Sequence, residues 1–324
     1  MLNSALESDH KPMFENSPYL PRWFATMLSL GLFIAIAAPM DAQDTVANGV
    51  SNQPIAIWPD LPPGETVKAF GEQLPARNTD IPTITRVEKI RTPTIDLFLP
   101  KVSNGTGVVI LPGGGFARVV PDMEGSEAAM RLNQLGITAF VLRYRTSEVT
   151  PAEEPKYLRP LQDAQRAVRW VRANAVTWRL KTDRIGVLGF SAGGQVACIL
   201  HTTGDKAAYE AIDQIDTLSF RPDFSLFIYP WNVWDSKTER LLPELQFSKD
   251  LPPAFIVHTS DDKSSALGAA MFYAGLKKFD VPAELHIYEN GGHGYGTRAR
   301  PDSNIGTWPD RADDWLVRRK LGSG

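Results

Sequence analysis

A serine set between glycines, Ser191 in the stretch GFSAGG, is the residue of this sequence that most directly suggests chemistry. An apolar run precedes it and another follows it, which is the strand, turn and helix context that exposes a serine hydroxyl as a nucleophile. Serine alone is a poor nucleophile at neutral pH. It needs a histidine that takes its proton, an acid that orients this histidine, and donors for an oxyanion.

His293 is the predicted base. It lies in ENGGHGYG, where four glycines surround it after the last apolar run. Such a loop suits close backbone approach better than core packing. Because the base must be neutral, we expect activity to rise through about pH 6–7. The other histidines have simpler explanations: His10 before the N-terminal apolar run, His201 as a charge partner at a helix end, His258 at a strand end and His286 within a strand.

Two adjacent carboxylates follow the apolar run in PAFIVHTSDD and are candidates for the acid. We expect one of them, Asp261 or Asp262, to face the histidine and the other to face solvent. The sequence pattern alone leaves this choice open.

Three glycines, Gly113 to Gly115, supply candidate oxyanion donors directly after the buried run GVVIL. Glycine lets backbone N–H groups point into a cleft without obstruction by side chains. By position, Gly114 and Gly115 are the predicted donors, joined by the N–H of Ala192 after the nucleophile. The order serine, acid, histidine is that of the α/β-hydrolase triad.

These residues must be positioned by a scaffold of alternating strands and helices. The alternation predicts an α/β fold with a doubly wound, mostly parallel sheet flanked by helices. In such sheets the reactive groups lie at the carboxyl ends of strands. The first two β runs, Thr85–Ile90 and Thr94–Leu99, are candidates for antiparallel pairing at one edge. The excursion at 231–250 is too short for a large lid domain, which indicates an open cleft.

The chain divides into three predicted regions: 1–42 with a signal peptide, a polar and Pro/Gly-rich arm at 43–84, and a catalytic domain at 85–324. The run Met27–Ala38 is uncharged, apolar and short for a membrane span. We expect cleavage after Ala38 or Ala42, a secreted or periplasmic protein, and no stable membrane span after removal of the signal. A buried helix is the alternative, and the true start codon stays open.

Composition narrows the function classes. Of 324 residues, 43% are hydrophobic and 22% charged, which suits a globular protein with a substantial core. The net charge of -3 and the lack of a basic patch argue against a nucleic-acid partner. The single cysteine, Cys198, permits no intrachain disulfide and is expected to be buried and inert. No metal or cofactor is predicted, and the oligomeric state is open.

From about Ile55 to Leu321 the chain resembles the α/β-hydrolase superfamily, and within it the acetylxylan esterase-like and BD-FAE-like carbohydrate esterases. LPGGGF, GFSAGG, HTSDD and GGHGYG carry the resemblance in this order, together with MEG, FVLRYR and RPLQDAQRAVRWVR. In that group the acid lies four residues after the histidine of the strand-end motif, which selects Asp262 after His258. The sequence departs from the group in having Ser264 and Ser265 where a hydrophobic residue is typical.

The resemblance implies an ester hydrolase that removes acetyl or other small acyl groups from saccharides. Some members carry names that imply xylan-chain cleavage, but no convincing pair of carboxylates for glycosidic hydrolysis is present. A small-molecule or oligosaccharide ester is therefore the expected substrate, and the residues expected to border it are Glu124, Trp231, Trp234 and Tyr295.

Three other functions remain open. A general short-chain carboxylesterase would use the same triad. A prolyl-oligopeptidase-like peptidase would also do so, although the arm before Thr85 is too short for its usual N-terminal domain. A non-enzymatic binding scaffold is disfavoured because all members of the triad are present.

Overall fold

A mostly parallel β-sheet forms the centre of the molecule. The computed structural model describes residues 46–47, 50–51 and 53–323, so the predicted signal peptide lies outside the described residues. The strands are β1 (Val46–Ala47), β2 (Val50–Ser51), β3 (Ile55–Ala56), β4 (Phe70–Gln73), β5 (Val87–Ile90), β6 (Thr94–Phe98), β7 (Gly107–Leu111), β8 (Thr138–Arg143), β9 (Ile185–Phe190), β10 (Ser225–Ile228), β11 (Trp234–Asp235), β12 (Arg240–Leu241), β13 (Ala254–Thr259) and β14 (Ala283–Tyr288).

In the described part of the chain, five α-helices alternate with the later strands. They are α1 (Glu127–Gln134), α2 (Leu158–Ala173), α3 (Ser191–Thr202), α4 (Ala266–Lys278) and α5 (Trp308–Arg318). Shorter turns are a π-helical turn at Asp122–Ser126 and 3₁₀ turns at Ser147–Val149, Gln214–Thr217 and Asn304–Thr307.

The main sheet runs in the order β1-β2-β6-β8-β7-β9-β10-β13-β14, with β3 beside β6. All pairings from β8 to β14 are parallel, and β6 is antiparallel to β8. Strands β7, β9 and β13 are buried along their whole length, as parallel strands covered on both faces should be. The predicted doubly wound, mostly parallel sheet is confirmed. The chain changes direction across the sheet between β7 and β9, and ligands bind at such a switch point.

Helices cover both faces of the sheet. On one face, α2, α3 and α4 bury side chains such as Val168, Val196 and Phe272. On the other face, α1 and α5 bury Leu132 and Trp315. The two cores hold the sheet rigid, so the loops at the strand ends have fixed starting points.

The first two β runs do not share one sheet edge. Strand β6 joins the main sheet, whereas β5 leaves it and pairs antiparallel with β4. Gly71 permits this ribbon: its φ is 95°, and a Cβ there would lie 2.6 Å from Val87 and 2.7 Å from Ile90. The expected edge pairing is therefore wrong for the first run, because a preceding segment of the arm supplies its partner.

The described part of the arm is fastened to helix α2. Trp58 Nε1 donates to Asp163 Oδ1 at 3.0 Å, and Arg166 Nε donates to the carbonyl of Ile57 at 2.8 Å. Further contacts join Arg145 to the carbonyl of Pro63 and Arg159 to Glu65. The motif RPLQDAQRAVRWVR thus binds the start of the arm.

The excursion at 231–250 forms only the short hairpin β11–β12. No lid domain covers the carboxyl ends of the strands in the described part of the chain. Among the same residues, no helix is both long enough and apolar enough to cross a membrane.

Candidate active site

The turn between β9 and α3 holds Ser191 in a strained conformation. Its φ is 51°, in the left-handed region that side chains rarely adopt. The two glycines of the motif allow close approach, since a Cβ on Gly189 would lie 2.6 Å from the carbonyl oxygen of Gly193. A Cβ on Gly193 would lie 2.1 Å from the carbonyl oxygen of Leu111 at the end of β7. Only glycine fits both positions, so the sequence holds the serine in its sharp turn.

Ser191, His293 and Asp262 lie in one chain of hydrogen bonds. The Oγ of Ser191 is 2.7 Å from Nε2 of His293, and Nδ1 of His293 is 2.6 Å from Oδ2 of Asp262. Each residue follows a strand at its carboxyl end: β9, β14 and β13 respectively. With an ionised Asp262, Nδ1 carries the proton and donates to it, which leaves Nε2 free to accept the serine proton.

The two neighbouring carboxylates face different partners. Asp262 is buried, and its second oxygen accepts the backbone N–H of Ser264 at 2.8 Å. Asp261 is exposed and accepts N–H bonds from Gly292 at 2.9 Å and Gly291 at 3.2 Å, which hold the pKa of Asp261 below its usual value. One carboxylate therefore orients the ring of His293, and the other supports the loop that carries this ring.

The serine that departs from the family pattern has its own role in this loop. The hydroxyl of Ser264 accepts the N–H of Asn232 at 3.0 Å and contacts the carbonyl of Pro230. A hydrophobic side chain could not make these bonds. Ser264 therefore ties the acid loop after β13 to the loop after β10.

The glycine loop after β7 packs against the serine. A Cβ on Gly113 would lie 2.7 Å from Cβ of Ser191. Gly114 and Gly115 have φ values of 133° and 67°, and their N–H groups donate to no residue that the structure describes. Ala192 is buried in the first turn of α3, where N–H groups lack an intrahelical acceptor. All three predicted donors therefore surround the serine with free N–H groups.

Glu124, which was expected to border the substrate, lines the cavity above Ser191, and its carboxylate is hydrogen-bonded within the protein. Only 3% of the residue is exposed. Its Oε2 accepts the N–H of Gly113 at 2.9 Å, and its Oε1 accepts the hydroxyl of Tyr229 at 2.7 Å. Burial raises the pKa of Glu124, and the bond from Tyr229 opposes this.

Tyr229 extends this connection to the histidine loop. Its hydroxyl accepts the N–H of Gly296 at 2.8 Å, so one phenol bridges Glu124 and the GGHGYG segment. Burial raises the pKa of Tyr229 well above its usual value, which keeps it a donor. Sequence reasoning missed Tyr229, although a hydroxyl at the carboxyl end of the apolar stretch FSLFIYP was a usable signal.

A cavity of about 540 Å³ opens above these residues. Ser191, His293, Gly114 and Gly115 line it together with Trp231. The ring of Trp231 lies 5.1 Å from that of His293, and the backbone N–H of Trp231 donates to the carbonyl of Ser191 at 2.8 Å. Residues 79–81 and 84 of the arm, and Arg86 just after it, also line the cavity.

The other two predicted substrate neighbours differ from Trp231. Tyr295 borders the cavity but is fully buried, with its ring 4.3 Å from that of Tyr229. It therefore supports Tyr229 by packing. Trp234 lies in β11 against Gly268 of α4 and is not part of the cavity wall.

The described alternative histidines lie elsewhere, and His10 is outside the described residues. His201 is fully buried, with Nδ1 2.9 Å from the hydroxyl of Ser225, and burial lowers its pKa to about 3. It is therefore uncharged at neutral pH, and the expected role as a helix charge partner is wrong. His286 pairs with Glu284, and His258 is buried in β13.

Two further groups bear on alternative chemistry. Cys198 is fully buried, and burial raises the pKa of its thiol well above its usual value, so the thiol stays protonated and inert. In the part of the chain that the structure describes, no three His, Cys, Asp or Glu side chains are grouped to hold a metal ion.

Comparison with known proteins identifies the family of this chain. The BD-FAE family model matches residues 95–225, which include the glycine loop at 113–115 and Ser191. An acetylxylan esterase from Xylanibacter ruminicola is 27% identical over 235 residues, which cover 65% of this chain and 44% of that protein. The chain therefore spans less than half the length of this curated relative.

Two solved structures are similar over most of their length. The acetyl ester-xyloside bifunctional hydrolase from Caldicellulosiruptor lactoaceticus is 30% identical, with a TM-score of 0.62, over 84% of this chain and 97% of that one. MGS-M1, an α/β hydrolase from a Medee basin deep-sea metagenome library, is 26% identical with a TM-score of 0.58, over 71% and 93%. The chain belongs to the α/β-hydrolase superfamily, in its BD-FAE-like and acetylxylan esterase-like group of carboxylic ester hydrolases.

Proposed function

We propose that this protein hydrolyses carboxylic esters through a covalent acyl-serine at Ser191. The observation that carries the proposal is the hydrogen-bonded chain from Ser191 through His293 to Asp262, at 2.7 and 2.6 Å. The chain ends on a buried carboxylate, which suits an acid that orients the base throughout the cycle.

In the first step Ser191 Oγ attacks the ester carbonyl while Nε2 of His293 takes its proton. The new C–O bond converts the carbonyl oxygen to an oxyanion. The N–H groups of Gly114, Gly115 and Ala192 are the proposed donors to it. Loss of one such donor typically lowers the rate by about 10²–10³.

The imidazolium of His293 then protonates the leaving alcohol as the tetrahedral carbon collapses to the acyl-serine. Water enters, gives a proton to His293 and attacks the acyl carbon. Collapse of the second intermediate releases the acid and returns the proton to Ser191. Asp262 stays ionised and stabilises the imidazolium in both steps.

For the substrate, we favour small acyl groups, above all acetyl, on saccharides. The names of two similar proteins, an acetylxylan esterase and an acetyl ester-xyloside bifunctional hydrolase, support this, and so does Trp231, whose ring borders the cavity and can stack on a sugar. Export through the predicted signal peptide fits such a substrate and remains part of the proposal.

A fluorophosphonate probe tests the enzyme mechanism. We expect stoichiometric labelling of the mature chain, no labelling of Ser191→Ala, and full labelling of the control Ser265→Ala at the start of α4. Ester hydrolysis that persists in Ser191→Ala would contradict the mechanism.

The substrate is tested by comparing acetate release from acetylated xylan with hydrolysis of p-nitrophenyl esters of increasing acyl length. A preference for octanoate or longer acyl groups would exclude the saccharide assignment.

A further inference from the structure

Four arginines border the cavity above Ser191, and they divide into two pairs. Arg86 forms an ion pair with Asp80 at 2.6 Å, and Arg298 forms one with Glu127 at 2.5 Å. The other two, Arg118 and Arg300, line the same cavity and form no ion pair with any residue that the structure describes. Two permanent positive charges therefore face the cavity without a protein counter-charge.

These two arginines flank the reacting groups. Arg118 follows the oxyanion loop, and a Cβ on Gly114 would lie 2.9 Å from its Cγ. Arg300 donates from Nη2 to the carbonyl of Gly294 at 3.0 Å, directly after His293. One arginine therefore lies beside the predicted oxyanion donors, and the other lies beside the base.

The acidic groups around the cavity do not cancel these charges. Asp80 is committed to Arg86, whose hydrogen bond holds the pKa of Asp80 below its usual value. Glu124 is buried and occupied by Gly113 and Tyr229. The carboxylate of Asp122, just outside the wall, accepts backbone N–H bonds. A ligand in the cavity is therefore close to the positive charges of Arg118 and Arg300, and none of these three carboxylates is free to offset them.

We propose that the cavity selects esters whose alcohol part carries a carboxylate, such as an acylated saccharide that contains a uronic acid, and that Arg118 and Arg300 bind this carboxylate. Guanidinium groups match carboxylates with paired hydrogen bonds. The alcohol side is favoured because Arg300 is anchored beside His293, the residue proposed to protonate the leaving alcohol. The inference rests on the proposed ester hydrolysis and specifies its substrate class.

Two matched acetate esters test this: 4-acetoxybenzoate, whose alcohol part is anionic, and the neutral 4-acetoxybenzamide. Each kcat/KM is divided by the rate of alkaline hydrolysis of the same ester. We expect this corrected ratio to favour the carboxylate, and to fall about 3- to 10-fold in Arg118→Gln and in Arg300→Gln. It should also fall as salt screens the charges.

The control is Arg179→Gln, which removes an exposed arginine that precedes β9, at the opposite end of the sheet. It should leave the ratio unchanged. A ratio near one in the wild-type protein, or a ratio insensitive to both cavity substitutions, would overturn the inference while ester hydrolysis itself persists. Absence of hydrolysis of every ester would instead refute the proposed function.

Two further pairs of substrates test whether the carboxylate must lie on the alcohol side or on the acyl side of the ester. Acetylated xylo-oligosaccharides with and without a glucuronic acid branch should differ in acetate release, with the branched form faster. A phenyl hemisuccinate, which places the carboxylate on the acyl side, should gain no advantage over phenyl butyrate. An advantage for the hemisuccinate with none for the acidic alcohol would overturn the assignment to the alcohol side.

Discussion

Two polar clusters of this protein differ in how many of their polar groups have a hydrogen-bond partner within the protein. The first, the α2 cluster, consists of Asp163, Arg145 and Trp58. Asp163 is fully buried, and its two oxygens accept from Trp58 Nε1 and from Arg145 Nε and N at 2.9–3.1 Å. The second, the site cluster, consists of Ser191, His293, Asp262 and the glycine loop at 113–115. Its N–H groups at 114 and 115 have no acceptor among the described residues.

The difference shows what each cluster is suited to do. In the α2 cluster every charge has a partner, so the groups hold the arm against the helix and have no capacity left for a ligand. In the site cluster, N–H groups without an acceptor and a strained serine are available to a substrate. The contrast predicts that substitutions in the site cluster change activity with little effect on stability, and those in the α2 cluster do the opposite.

The largest expected effect comes from Asp262→Asn. An asparagine at this position favours the wrong tautomer of His293, so kcat should fall about 10³- to 10⁴-fold. The free energy of unfolding should change far less, because the side chain keeps its shape. Steady-state kinetics and urea unfolding measure the two quantities.

The matched control is Asp261→Asn, which does not face His293 and keeps one acceptor oxygen for the two N–H groups of the loop, those of Gly291 and Gly292. It should lower kcat less than about tenfold. Equal losses in the two variants would contradict the assignment of Asp262 as the acid that orients His293.

Asp163→Ala tests the α2 cluster. It leaves the guanidinium of Arg145 buried without its carboxylate and Trp58 without its acceptor. Breaking one partner of a buried pair typically costs about 3–5 kcal/mol. We expect the midpoint of urea unfolding to fall accordingly, while kcat per folded molecule stays near that of the wild-type protein.

The exposed ion pair between Asp60 and Lys68 supplies the control, since Asp60→Ala should leave the unfolding midpoint unchanged. A large loss of kcat in folded Asp163→Ala would remove the distinction between the clusters.

The two clusters also differ in how far the sequence predicts them. The apolar run at Gly107–Leu111 is strand β7 from end to end, because a strand buried on both faces leaves an uninterrupted pattern. The site follows from such runs, since parallel strands bring their carboxyl ends together. Ser191 and His293 were therefore predicted from the apolar runs before them and from their glycine neighbours, whereas the choice of Asp262 over Asp261 rested on the resemblance to the family.

The rest depends on contacts between distant segments, which one sequence does not reveal. The pairing of β4 with β5 could not be predicted without knowing where the arm lies in the fold. The hydrogen bonds of Glu124 to Gly113 and Tyr229 could not be read from the sequence, because the three residues are far apart along the chain. Arg118 and Arg300 carry no local pattern at all, and only the folded cavity places them on one rim.

The smallest effect is expected for Glu124→Gln. Both carboxylate oxygens of Glu124 accept hydrogen bonds, as those of Asp163 do, but one of these bonds comes from Gly113 of the site cluster. Glutamine offers one acceptor oxygen, so either the N–H of Gly113 or the hydroxyl of Tyr229 loses its acceptor. A net loss of about 1–2 kcal/mol is typical, so kcat should fall about tenfold as the loop loosens. The control Glu72→Gln on exposed β4 should leave kcat unchanged.

The same variant carries a signature in pH. Burial raises the pKa of Glu124 in the folded protein above 4.5, so folding favours its protonated form. Its contribution to stability is therefore present below pH 4.5 and is lost as the pH rises through the folded pKa. Glutamine does not titrate, so the stability of the wild-type protein relative to Glu124→Gln, measured by urea unfolding, should decline as the pH rises above 4.5. A difference that stays constant over this range would mean that ionisation of Glu124 costs the fold nothing, and a loss of kcat would then reflect only the missing hydrogen bond to Gly113 or Tyr229.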